Sequence, residues 1–188
     1  MSVKLNPLDQ QVVVITGASS GIGLSTARMA VERGAKVVLA ARGEEALRAE
    51  AEKMNAGGRN VASYFVVDTA NRDEVDALAR HAVQTFGRTD TWVNNAAAPL
   101  YGEITKTPLE DHRRIFDVNY WGVVHGSLAA VEYMTKGGAI INLGSILSEI
   151  PIPLQGPYVA SKHAVKGFTD TLRIELKSRN LPIAVSLI

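Results

Sequence analysis

The sequence predicts a doubly wound α/β domain built on a parallel sheet. Three observations carry that expectation. Short β-branched runs alternate with helical patterns along all 188 residues. Each strand candidate is a near-continuous apolar run, as expected of strands covered on both faces. Breakers separate the segments: Gly34, the pair Gly57 and Gly58, Gly87, Pro108, and the pair Gly137 and Gly138. With right-handed crossovers, this alternation implies a strand order of 3-2-1-4-5-6.

The strand candidates are residues 11–16, 36–40, 61–67, 91–94, 139–143 and 184–187. Helical spacing covers 21–33, 44–55, 72–86, 109–134 and 157–179. Length favours a single domain with a real core. The last strand runs into Ile188 with no loop beyond it, so the expectation is a domain truncated at its carboxy end.

Composition narrows the function classes. Apolar residues make up 46%, which argues against disorder, and a net charge of +1 lacks the basic footprint of a nucleic-acid binder. The chain has no cysteine, so disulfides and thiolate metal sites are excluded. His81, His112, His125 and His163 show no metal-ligand spacing, and no metal is expected. The amino terminus has no apolar signal core and no run reaches membrane-spanning length. A cytoplasmic setting with no membrane partner is the expectation.

The segment VVVITGASSGIG joins the first strand to the first helix. Gly17, Gly21 and Gly23 let the backbone approach a pyrophosphate, and the free N–H groups at the helix start would face its charge. Ser19 and Ser20 add hydroxyl donors. The spacing differs from the common G-x-G-x-x-G and is weak alone. Its place, between a first strand and a helix, points to a dinucleotide site on a Rossmann fold. The alternative is a tight strand–helix turn with no ligand.

The ribose-reading position at the end of the second strand is Ala41. It carries no acid to bind a 2′-hydroxyl or repel a 2′-phosphate. Arg42 follows and can pair with a phosphate, which favours NADP(H) and leaves NAD(H) open. Alternatively, Arg42 is a surface charge paired with Glu44 or Glu45. Asp68, at the end of the third strand beside Thr69, either accepts from an adenine amino group or caps the next helix.

The strongest chemical signal is GPYVASK. Tyr158 and Lys162 stand four apart on a helix that Pro157 suits at its first turn, so they share a face. At roughly 5 Å and an effective dielectric near 20, a lysine ammonium favours the phenolate by about 3 kcal/mol. Tyr158 then serves as general acid or base on an alcohol/carbonyl pair, and Lys162 tunes it or binds the nicotinamide ribose. Ser145, ending the fifth strand, either holds the substrate oxygen or caps a turn. The Asn119 amide either binds a water in a proton relay or satisfies a kinked helix backbone.

Together, TGASSGIG at 16–23, NNAA at 94–97, Asn119, Ser145 and YVASK at 158–162 resemble the short-chain dehydrogenase/reductase family over nearly the whole chain. The resemblance implies a tetrad of Asn119, Ser145, Tyr158 and Lys162, and hydride transfer from or to the nicotinamide. It implies backbone contacts from Asn95 and Ala96 to the cofactor, an N–H from Ile22 to the pyrophosphate, and Asn94 as a strand stabiliser. It also implies a homodimer or homotetramer through the helices at 109–134 and 157–179. Two departures stand out: Ala97 replaces the usual glycine, and the family's seventh strand and substrate-covering helices have no counterpart before Ile188. The fragment is therefore expected to be inactive or unstable alone. A cofactor-binding regulator or scaffold without turnover is the competing class, and the intact tetrad argues against it. The glycine spacing disfavours a sugar-nucleotide epimerase or dehydratase.

Overall fold

The computed structural model describes residues 3–188. Strands β1 (Val12–Thr16), β2 (Lys36–Ala41), β3 (Ala62–Val66), β4 (Thr91–Asn94), β5 (Gly138–Asn142) and β6 (Ile183–Leu187) form one parallel sheet. Its order is β3-β2-β1-β4-β5-β6, as the alternation predicts.

Register puts Val14 beside Val38 and Trp92, and Ile140 beside Trp92 and Val185. The next row along is Ile15, Leu39, Val93 and Ile141, and it points to the opposite face. The first face packs on α3 (Arg72–Phe86), α5 (Gly122–Tyr133) and α6 (Gly156–Ser178) through Leu78, Ala129, Leu172 and their neighbours. The second packs on α1 (Gly21–Glu32) and α2 (Glu44–Met54) through Ala27, Ala30, Leu47 and Ala51. Both faces of the central strands are thus apolar. Each large side chain buried there contributes about 1.5–3 kcal/mol.

The helix ends follow local chemistry. The Asn71 side chain accepts from the N–H groups of Asp73 (3.0 Å) and Glu74 (3.4 Å), which starts α3. Gly87, at φ +81°, closes it in the left-handed conformation.

The helix expected over 109–134 is present as one unbroken run, but it changes geometry on the way: α4 (Leu109–Phe116), a π-helical turn (Asp117–Trp121) and α5 follow one another directly. The turn falls where Asn119 is fully buried and bonded to distant backbone. It accepts from the Ala98 N–H (2.7 Å) and donates to the Ala98 carbonyl (3.0 Å). A tertiary contact, not a local breaker, holds the wider turn.

A buried polar brace lies at the carboxyl ends of β4 and β5. Asn94 Nδ2 donates to Asn142 Oδ1 (2.8 Å) and to Ser127 Oγ (3.1 Å). Asn142 Nδ2 donates to Thr169 Oγ1 (2.9 Å), and the Trp92 indole N–H donates to Asn94 Oδ1 (2.8 Å). The brace ties two strands to α5 and α6 beside the point where strand order reverses between β1 and β4. Open α/β sheets bind ligands at such points.

Candidate active site

The glycine loop between β1 and α1 is held from behind. Asn95 Nδ2 donates to the carbonyls of Thr16 (2.9 Å) and Gly17 (3.1 Å). The Thr16 hydroxyl oxygen accepts from the N–H groups of Asn95 and Ala96 (both 3.1 Å). Gly17 (φ +67°) and Gly21 (φ +56°) occupy the left-handed region. A Cβ on Gly23 would overlap the Gly17 carbonyl, so this glycine sets the close approach of helix and loop. Leu24 is the first residue of α1 whose N–H reaches a helix carbonyl, that of Ser20 at 3.2 Å. Ser20 makes no capping bond with its side chain. The amides of Gly21, Ile22 and Gly23 and the Ser20 hydroxyl are therefore donors left for a ligand. Such a row of donors at a helix start fits a pyrophosphate.

A cleft of about 390 Å³ opens in front of this loop. Of the expected cofactor residues, Gly17, Ser19, Ser20, Arg42, Asp68, Thr69, Asn95 and Ala96 line it. Arg42 is exposed and forms no ion pair among the described residues, so the expected alternative, a pair with Glu44 or Glu45, is not formed. Asp68 does not cap α3, a role Asn71 fills. Its carboxylate accepts from Arg114 (2.8 Å) and from the Ala70 N–H (3.1 Å). Burial pushes the Asp68 pKa up, but the Ala70 N–H, Arg114 and Arg42 outweigh it and hold the carboxyl below its ordinary range. Arg114, 46 residues away on α4, lines the same cleft, and sequence reading missed it.

Ser145 and Tyr158 line a second cleft of about 530 Å³. The two clefts share Ala97 in their walls, at the position where the family commonly has glycine. Tyr158 sits in the first turn of α6, with Pro157 at a position that needs no N–H partner. One turn on, Lys162 is buried at 3% exposure. Its Nζ lies 5.7 Å from the centre of the Tyr158 ring and donates to the Leu143 carbonyl (2.7 Å). Burial lowers its pKa to about 8, so at pH 7 most of the population still carries the charge.

Ser145 takes the second of the two roles open to it from sequence, the turn cap. Its oxygen accepts the Leu147 N–H (3.1 Å) and the Ser148 hydroxyl accepts the Ser145 N–H (3.1 Å), capping a short 3-10 turn. Its own O–H remains free to donate into the cleft. Of the two roles open to Asn119, the bonds found are structural ones: its amide pairs with the Ala98 N–H and carbonyl and donates to Ser161 Oγ (3.2 Å). It fixes the loop after β4 against the helix that carries Tyr158.

Among the described residues, no helix is long and apolar enough to cross a membrane. The family model described as short chain dehydrogenase matches residues 11–188. An uncharacterized oxidoreductase of Bacillus subtilis is 46% identical over 99% of the chain, which spans 53% of that protein's length. A second, from Staphylococcus saprophyticus, is 38% identical over 91% of the chain and 69% of its own. The mouse dehydrogenase/reductase SDR family member 7B is 36% identical over 95% of the chain and 57% of its own length. The chain thus spans little more than half of two of these three relatives. Among solved structures, a short chain dehydrogenase/reductase from Burkholderia phymatum in complex with NAD superposes with a TM-score of 0.93 at 33% identity. That match covers 97% of this chain and 66% of the other.

Proposed function

Since the chain belongs to the short-chain dehydrogenase family, we propose that it moves a hydride between a nicotinamide dinucleotide and an alcohol/carbonyl pair, with Tyr158 as the general acid or base. The observation that carries this reading is the meeting of two clefts at Ala97, one lined by Gly17, Ser19 and Ser20 of the glycine loop and the other by Tyr158 and Ser145.

When bound, the nicotinamide ring supplies or accepts the hydride. The glycine loop, the Ser19 and Ser20 hydroxyls and the start of α1 would hold the pyrophosphate. Asp68 and Thr69 would face the adenine, and Asn95 and Ala96 the ribose side. Ala41 offers no acid and Arg42 is free, which supports NADP(H) over NAD(H).

In the reducing direction the carbonyl oxygen gains charge. The Tyr158 phenol gives it a proton, and in the oxidising direction the phenolate removes one. Ser145 donates a hydrogen bond to the same oxygen. It accepts the Leu147 N–H at the same time, and its O–H is the group available to donate. Lys162 keeps a positive charge beneath the tyrosine and is the residue suited to the nicotinamide ribose. Asn119 is a positioning residue, acting through Ala98 and Ser161. Exposed Leu109, Trp121, Leu128 and Ile174 on the α4–α6 side support a homodimer or homotetramer.

The test is Tyr158→Phe. Turnover of a ketone panel with NADPH should fall by about 10²-fold or more, while cofactor affinity, read by fluorescence titration, stays within about twofold. Unchanged turnover removes Tyr158 from the mechanism and with it this reading.

A further inference from the structure

The cleft that Tyr158 shares with Ser145 has a wall the proposed reaction does not explain. Ile146, Ile150 and Ile152 line one side and Tyr101 the other, and no charged side chain lines it. The one carboxylate in the adjoining segment, Glu149, is turned away and bonded to Lys166. A charged substrate body would therefore meet no counter-ion, and its desolvation would go uncompensated.

One polar side chain interrupts this wall. Gln155 is 7% exposed and lines the cleft. It precedes α6 at the capping position, yet its side chain makes no capping bond. Among the described residues, the amide makes no hydrogen bond, and its polar atoms are not among the fully enclosed ones, so it stands open to a ligand in the cleft. It is also held rigidly. Its own carbonyl accepts the Val159 N–H (2.8 Å). The preceding Leu154 carbonyl accepts the Gly102 N–H (2.8 Å), which keeps Leu154 in the left-handed region at φ +65°. A branched side chain held in that conformation beside a site is a mark of functional constraint.

We infer that Gln155 is the specificity-determining residue of this cleft, and that it selects uncharged, largely apolar carbonyl compounds bearing a second neutral oxygen, a hydroxyl or carbonyl, near the reacting one. The inference rests on the proposed reaction at Tyr158. The amide both donates and accepts, so it serves a ketone oxygen or a hydroxyl equally. Only Gly156 and Pro157 separate it from Tyr158 at the start of one helix, which places the second oxygen a short span from the first.

The test compares Gln155→Met, which keeps length and packing, with the unmodified protein. The probes are 1-phenylpropan-1-one and 1-phenylpropane-1,2-dione, matched in apolar body and differing in one oxygen. Two quantities are read: the ratio of kcat/KM values, and the ratio of Kd values from saturation-transfer NMR without cofactor. The unmodified protein should prefer the dione in both ratios, and the substitution should shrink each preference about tenfold, as for one buried hydrogen bond lost. Ratios that do not move overturn the inference and leave the redox reading intact. Absence of turnover with both probes overturns the redox reading, and the binding ratio still decides the role of Gln155. Gln155→Glu supplies the control for charge: it should depress dione binding further, and a gain would overturn the requirement for a neutral amide.

Discussion

Replacing Lys162 with methionine should make the protein more stable and less active. The ammonium is buried with only the Leu143 carbonyl as partner, and burial brings its pKa from 10.5 to about 8. Holding that group charged inside the fold costs about 3 kcal/mol at pH 7. Methionine of similar volume removes the cost but leaves the Leu143 carbonyl unpaired, a loss of about 1 kcal/mol. The net expectation at pH 7 is a gain of about 2 kcal/mol, on the order of 5 °C in Tm. The sign with pH follows from the direction of the shift. The folded pKa lies below the unfolded one, so the penalty is fully present below about pH 8 and fades as pH rises toward 10.5. The advantage of Lys162→Met should shrink by about 2 kcal/mol between pH 7 and pH 9.5. Urea unfolding at several pH values, followed by fluorescence of the buried Trp92, reads both quantities. A variant less stable at pH 7, or a stability difference that ignores pH, would refute the account of a charged, desolvated Lys162. Retained activity would refute its part in the reaction.

Three further outcomes are expected. Arg42→Ala should weaken NADPH binding about tenfold more than NADH binding, and equal losses in fluorescence titration would mean that Arg42 does not read the phosphate. Gly23→Ala places a methyl group 2.5 Å from Asn95 Nδ2 and into the Gly17 carbonyl, so it should raise the cofactor Kd by about tenfold or more with little change in helix content by circular dichroism. Asn142→Leu removes one acceptor of Asn94 Nδ2 and breaks the link to Thr169, so urea unfolding should show a loss of about 1–3 kcal/mol.

Much of this molecule could be read before it was seen, and the limits follow one rule. The strands were legible because each is a short apolar run with both faces covered, and Pro157 marked the start of α6. Gly17, Gly21 and Gly23 announced their loop because left-handed or crowded backbone admits little else. What stayed hidden depends on partners far away in the chain. The π-helical turn at Asn119 answers to Ala98, and nothing between Leu109 and Met134 foreshadows it. Arg114 joins the cofactor cleft only because α4 brings it to Asp68. The unpartnered state of the Gln155 amide is likewise a fact about neighbours. Sequence periodicity tells which face of an element is buried, and it is silent on which atom that face will meet.

The way Asn95 grips the glycine loop has a consequence for the range of conditions in which the cleft can work. By taking the inward carbonyls of Thr16 and Gly17, it leaves an outward surface made of amide hydrogens and hydroxyls. Such a surface attracts phosphate through fixed dipoles that neither gain nor lose protons at any pH the fold survives. Alkali should therefore discharge Lys162 well before it loosens the hold on the pyrophosphate.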